Sequence, residues 1–195
     1  NGTTATFTNG VLAAHGVTIS NTGNLTITAT RTSGGTQAGT SNAFSVVPGA
    51  ASAAQSIASV PAGTAAGVTT IVVQAKDAQG NNRTSTSGAV VVTVTGANTV
   101  TAAVVDNLNG TYTATYTPTA AGTDNIAITL GGSAIGGSPY SSVVSSGAVN
   151  NFLVEGGSPI ATQTAGTSFN IRITARDANG NTVTGFTGAG NTVNI

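Results

Sequence analysis

The chain has 195 residues with 5 Lys+Arg, 5 Asp+Glu and 1 His, so its formal net charge is zero, and 39% of it is hydrophobic. No basic patch can form to hold a phosphate backbone, which argues against nucleic acid as a partner. Cys, Met and Trp are all absent, which excludes disulfides, thiol catalysis and thiolate metal sites, and no run of about 18 apolar residues occurs that could span a bilayer.

Val and Ile in period-2 runs can close a core, so the chain is expected to fold despite its low charge and few aromatics. Freedom from Cys and Met suits long exposure to oxidants, and an extracellular location is expected. No signal-type segment opens the chain, and Asn1 stands where a Met would. The chain is therefore read as a piece of something longer.

In chain order, the first strands are expected at 16–20, 24–31 and 42–47. Short strands then follow at roughly ten-residue spacing, with Gly, Asn, Ser and Pro clusters between them, as in a β-sandwich. They are placed at 55–60, 69–76, 89–95, 100–105, 111–117, 125–130 and 140–144, which makes one immunoglobulin-like domain. No 3.6-residue period appears, and the fold class is all-β.

A segment recurs at a spacing of 100 residues. Gln74-Ala75-Lys76-Asp77-Ala78-Gln79-Gly80-Asn81 returns as Thr174-Ala175-Arg176-Asp177-Ala178-Asn179-Gly180-Asn181. Each copy follows alternating apolar residues, Ile71, Val73 and Ala75 in one and Phe169, Ile171, Ile173 and Ala175 in the other. Each thus reads as a half-buried strand entering a tight turn. Self-similarity at domain length marks an array of like modules. Nothing in 1–47 matches the turn, so residues 1–50 read as the back half of a module. Residues 51–147 read as a complete module and 148–195 as a front half, with linkers at 48–53 and 145–150. A half sandwich cannot bury both sheet faces. The flanks must be completed by a longer array or, head to tail, by another copy of the chain.

Asp106-Asn107-Leu108-Asn109-Gly110-Thr111-Tyr112-Thr113-Ala114-Thr115-Tyr116-Thr117-Pro118, then Ala121-Gly122-Thr123, Ile126, Ile128 and Gly136-Gly137-Ser138-Pro139-Tyr140, resemble the filamin-type immunoglobulin repeat. The D-A-x-G-N turns, Thr167-Ser168-Phe169-Asn170-Ile171 and Ser41-Asn42-Ala43-Phe44-Ser45-Val46 are similar to repeats of large bacterial surface proteins, including invasin-like ones. The resemblance implies tandem immunoglobulin-like β-sandwiches that space, scaffold or adhere, sometimes with peptides added to a sheet edge, and it does not imply catalysis. The residues themselves agree: Tyr112, Ala114 and Tyr116 share one strand face and Thr111, Thr113, Thr115 and Thr117 the other. Asn109-Gly110 supplies the turn before that strand, and Pro118 ends it.

The D-A-x-G-N turns are the best site candidates. Asp177, Asn179 and Asn181 alternate as calcium ligands do, yet Gly180 sits at the fourth position where an EF-hand wants it sixth, and Gly188 replaces the closing carboxylate. A hydrogen-bonded Asx turn accounts for the same residues, so no metal is assigned. His15 is read as an exposed loop residue without triad or metal partners. The acids Asp77, Asp106, Asp124, Glu155 and Asp177 show no close pairing, and no catalytic residue or cofactor is assigned. Lys76, the one lysine, is read as a solvated strand end and not as a cross-linking residue. Gly34-Gly35 and Gly131-Gly132 read as hairpin turns and not as phosphate loops. Sequons occur at Asn1, Asn24, Asn82 and Asn109.

The sequence thus reads as a structural repeat of a bacterial extracellular or cell-surface protein, part of a stalk, sheath or filament. Its expected partners are copies of itself or neighbouring repeats. The alternative is an adhesin module for a glycan or surface protein, for which Tyr112, Tyr116 and Tyr140 would have to form an exposed platform.

Overall fold

The computed structural model describes residues 4–155 and 159–195, and the sequon at Asn1 lies outside them. The described residues form strands and no helix, and so no helix long and apolar enough to cross a membrane. Contacts divide the chain into two units, Asn1–Gly49 and Ala50–Ile195.

In the first unit, β1 (Gly23–Leu25) pairs antiparallel with β4 (Phe44–Val46), and β2 (Thr28–Thr30) with β3 (Ala38–Thr40). The β2–β3 hairpin turns through Gly34 at φ 76°, where that sequence suggested a turn. Two expectations differ. Residues 16–20 are not a strand, and 24–31 is broken at Thr26-Ile27 into β1 and β2, which lie in different sheets. No residue from 4 to 49 is fully buried, so alternation there has no opposing layer to bury it.

The second unit continues with β5 (Ala51–Ser59), β6 (Gly63–Thr64), β7 (Thr69–Asp77), β8 (Val90–Gly96), β9 (Val100–Thr101), β10 (Ala103–Asp106) and β11 (Thr111–Tyr116). After these come β12 (Gly122–Leu130), β13 (Ser133–Ala134), β14 (Tyr140–Ser145), β15 (Asn151–Glu155) and β16 (Arg172–Arg176). One sheet has the order β10-β11-β7-β5, and the other β6-β14-β12-β8-β9 with β13 on β12. The inward residues of both meet in one core: Ile71, Val73 and Ala75, Tyr112, Ala114 and Tyr116 from the first, Val90, Val92 and Val94, Ile126, Ile128 and Leu130 from the second. Each strand supplies every second residue, so the period-2 pattern is the direct cause of the two-layer packing. The apolar area buried here, at about 25 cal/mol per Å², is what stabilises this module.

The stretch 100–105, expected as one strand, is two. At Ala102 the chain leaves β8, paired through Thr93↔Thr101, and joins β11, paired through Ala103↔Thr115. Ala102 is buried, and its N–H donates to Val92 O at 2.9 Å. A small side chain at the crossing lets the backbone pass between the sheets without a void or a clash.

Residues 51–53, expected as linker, already belong to β5, whose pairing shifts register between Ser52 and Ile57. Ser56 repairs the break. Its buried hydroxyl accepts the Lys76 N–H at 3.0 Å and donates to Ser52 O at 2.8 Å, standing in for ladder bonds. Gly136 closes over the bulge, its N–H donating to Ser56 O at 2.9 Å; a Cβ there would lie 2.8 Å from Ala54 O. The Gly-Gly-Ser-Pro-Tyr stretch thus builds a turn. Ser138 Oγ accepts the Ile128 N–H, and the Tyr140 hydroxyl donates to Gly136 O while accepting the Ala58 N–H.

Candidate functional site

The D-A-x-G-N segments fold into the same turn twice. In the first, Asp77 Oδ1 accepts the N–H groups of Gln79 at 3.0 Å and Asn81 at 2.9 Å, and the Gly80 N–H returns to Asp77 O. In the second, Asp177 Oδ1 accepts from Asn179 and Asn181, each at 2.9 Å, and the Gly180 N–H returns to Asp177 O. The glycines sit at φ 85° and 84°, a left-handed conformation that costs a side-chain-bearing residue energy. Asn81 and Asn181 each donate Nδ2 to Oδ2 of their aspartate at 2.9 Å. The bridges Lys76↔Asn82 and Arg176↔Thr182 then start the returning chain in both.

The second turn rests on the β11–β12 loop and on Gly147, just after β14. Asp177 Oδ2 accepts the Gly147 N–H at 2.8 Å. Asn181 Oδ1 accepts the Ala121 N–H at 2.9 Å, and its Nδ2 donates to Thr119 O at 2.8 Å. Ala65, Ala66, Gly147, Ala148, Asp177 and Ala178 line a cleft of about 220 Å³ beside these contacts. Burial pushes the Asp177 carboxyl up, but bonds from Asn181, Gly147 and Asn179 outweigh it and hold the group below the usual carboxylate range.

Behind the loop that receives Asn181 lies a buried carboxylate. Asp124 accepts the Asn98 N–H at 2.8 Å, Asn98 Nδ2 at 3.1 Å on both oxygens, and the Tyr116 hydroxyl at 3.0 Å. Burial, then the hydrogen bond and negative charge of Asp124, raise the Tyr116 phenol above its ordinary value. Sequence reasoning left Asp124 and Asn98 unassigned, since they lie 26 residues apart. The one signal was an aspartate on the inward register of an otherwise apolar strand.

The remaining candidates are spread apart. His15 is exposed in a segment without strand structure, and Lys76 is half-buried on β7. Asp106 Oδ1 accepts the Leu108 N–H, and Glu155 pairs with Arg172 at 2.7 Å. In the filamin-like stretch, a Cβ on Gly110 (φ 83°) would lie 2.0 Å from Arg83 O, so that turn requires glycine. The Tyr112 hydroxyl accepts the Ser87 N–H and donates to Gly88 O, each at 2.8 Å. The sequons at Asn24, Asn82 and Asn109 are exposed.

The Filamin/ABP280 repeat family matches residues 45–141. Among solved structures, an Escherichia coli adhesin, FdeC, is similar at 26% identity with a TM-score of 0.51, over 73% of this chain and 47% of that one. Invasin, a bacterial integrin-binding protein, is similar at 21% identity with a TM-score of 0.53, over 86% of this chain and 34% of that one. The filamin domain of Lin-41 is 24% identical with a TM-score of 0.42, over 49% of this chain and 97% of that one. The chain thus spans about half the length of the adhesin structure and a third of the invasin structure. No curated protein matches it in sequence. The two-sheet core, the Gly110-Thr111-Tyr112 turn and the family match agree: this is an all-β chain of immunoglobulin-like type, and residues 45–141 match the filamin repeat.

Proposed function

We propose that the chain is a structural repeat segment of a bacterial extracellular or cell-surface protein, acting as part of a stalk, sheath or filament. The observation that carries this reading is the seating of the Asp177 turn on the β11–β12 loop and on Gly147 through backbone and amide groups, which this reading takes as a contact between consecutive modules. Likeness to an adhesin supports the surface location. Mechanically, antiparallel ladders bear load along the module, and a near-neutral surface of Thr, Ser and Asn permits close lateral packing.

In this reading residues 1–50 and 148–195 are halves of modules. The first has no fully buried residue among those described, and the second buries Ala175 and Asp177 alone among its described residues. The β15–β16 hairpin carries Phe152, Val154, Ile173 and Ala175 on one face by its register, with Phe152 and Val154 still 39% and 48% exposed. Such a face is completed by a second sheet, from the next repeat of the polypeptide or from residues 1–47 of another copy. Sedimentation and electron microscopy of the chain with and without residues 1–47 test this. A ladder of linear oligomers that disappears on deletion supports completion in trans, monomers in both cases assign completion to adjoining repeats, and closed compact dimers unaffected by the deletion overturn the reading.

The second reading, an adhesin module for a glycan or surface protein, is favoured by the FdeC likeness. Tyr112 and Tyr116 lie in the core and Tyr140 is half-buried against it, so a stacking platform would have to come from other residues.

A further inference from the structure

Within the connection 117–121 from β11 to β12, Thr119, Ala120 and Ala121 are gripped by two asparagines. From within, Asn98 Oδ1 accepts the N–H groups of Thr119 at 2.9 Å and Ala120 at 3.0 Å, while Asn98 Nδ2 donates to Ala120 O at 2.9 Å. From the following segment, Asn181 takes two of the groups that Asn98 leaves, Ala121 N–H and Thr119 O. Asp124 holds Asn98 in place through its backbone and side-chain amide and is itself fully buried. None of the Asn98 and Asp124 bonds involves the Asp177 turn, so the loop is shaped from inside its own module.

We propose that this end of the central module is a preformed socket for the D-A-x-G-N turn of the module that follows. Asn98 and Asp124 act as positioning residues, and Asn181 is the residue the socket recognises. Recognition needs one donor and one acceptor at fixed spacing, which a short primary amide supplies. An aspartate at 181 would turn a negative oxygen toward Thr119 O and the Asp177 carboxylate, an unpaired and repulsive contact. The socket also explains the free third position. Gln79 and Asn179 differ, and only the backbone N–H of Asn179 is used by the turn. Gly147 belongs to the socket because the turn comes close: a Cβ there would lie 3.2 Å from Ala65 O and 3.5 Å from Asp177 Oδ2. The inference goes beyond the surface-repeat reading and holds wherever such an array is located.

Amide hydrogen exchange by NMR on the full chain tests it, with Asn181→Asp and Gly147→Val as variants. The Ala121 and Gly147 amides are expected to be protected in the unaltered chain. In Asn181→Asp, Ala121 should lose about tenfold or more of that protection while Thr119 and Ala120, held by Asn98, keep theirs. Gly147→Val leaves every turn residue in place and should expose Ala121 equally, so it decides the matter if Asn181→Asp also loosens the turn. Unprotected Ala121 and Gly147 amides in the unaltered chain, or unchanged protection at Ala121 in both variants, would overturn the proposal. Parallel loss at Thr119 and Ala120 in both variants would overturn it too, because the loop would then not be preformed.

Discussion

Strands β7 and β16 enter the same turn with nearly the same sequence, yet one is a core strand and the other is not. Ile71, Val73 and Ala75 are completely buried, whereas Ile173 is half-buried, Ala175 is 9% exposed and Phe169 is 50% exposed outside any strand. The difference lies in what faces them. β7 sits between β5 and β11 and looks across at β8 and β12, while β16 has β15 as its one partner strand among the described residues. Alternation in a sequence therefore licenses a strand with an apolar face, and a second sheet must be present before that face becomes a core.

Truncations should expose this contrast most strongly. Tyr112→Ala or Tyr116→Ala is expected to cost about 3 to 5 kcal/mol in the central module, and Ile71→Ala about 2 to 5, read by denaturant unfolding. The same change at Ile173, on a face that is only partly covered, should cost less than about 1 kcal/mol. Adding the adjoining repeat in a longer chain should raise the Ile173 cost toward that of Ile71. A large Ile173 effect in the present chain would mean that its face is already covered, and a loss below about 1 kcal/mol at Tyr112 would mean that the tyrosines do not carry the core.

Much of this contrast was legible in the sequence. The inward register of Thr111–Tyr116, the two turns, the hairpins at Gly34 and Gly131 and the filamin-like stretch all rest on local chemistry, and local chemistry is what a sequence displays. What escaped was non-local. The crossing at Ala102 depends on which sheet offers a free edge, the Ser56 repair depends on a register slip against β7, and the Asn98–Asp124 pair joins residues 26 apart. The strand expected from the alternation that starts at Phe169 begins only at Arg172, where pairing with Glu155 begins. Of the candidate site, the turn residues were visible, but not that Asn181 reaches the loop between β11 and β12.

Acid should distinguish the same two regions more gently. The Asp177 carboxyl is held below its ordinary value of 3.8 by the N–H donors around it. A depressed value means that the carboxylate's contribution is fully present above the ordinary value and is lost as pH falls below it through the folded value. Chemical shifts of Gly147 and Asn181 are expected to hold from neutral pH down to about 4 and to move below that, while the resonances of Val92 and Ile128 in the apolar core stay in place over the first part of the change. Loosening of the turn already at pH 6 would show that the N–H donors do not set this carboxylate.

Calcium should change nothing. An EF-hand-like site asks for six to eight oxygen ligands around the ion, with a carboxylate closing the loop. In the Asp177 turn, Oδ1 already faces two backbone N–H groups, Oδ2 faces Gly147 N–H and the Asn181 amide, and Asn181 Oδ1 is turned toward Ala121 N–H. An ion entering there would have to displace hydrogen donors from every one of these oxygens and release the turn from the central module. We therefore expect the same melting temperature in excess calcium and in EDTA. A rise of more than about 5 °C with calcium, on the order of 1 kcal/mol for a domain of this size, would show that Asp177, Asn179 and Asn181 hold a metal and that the donor-filled turn is its ion-free form.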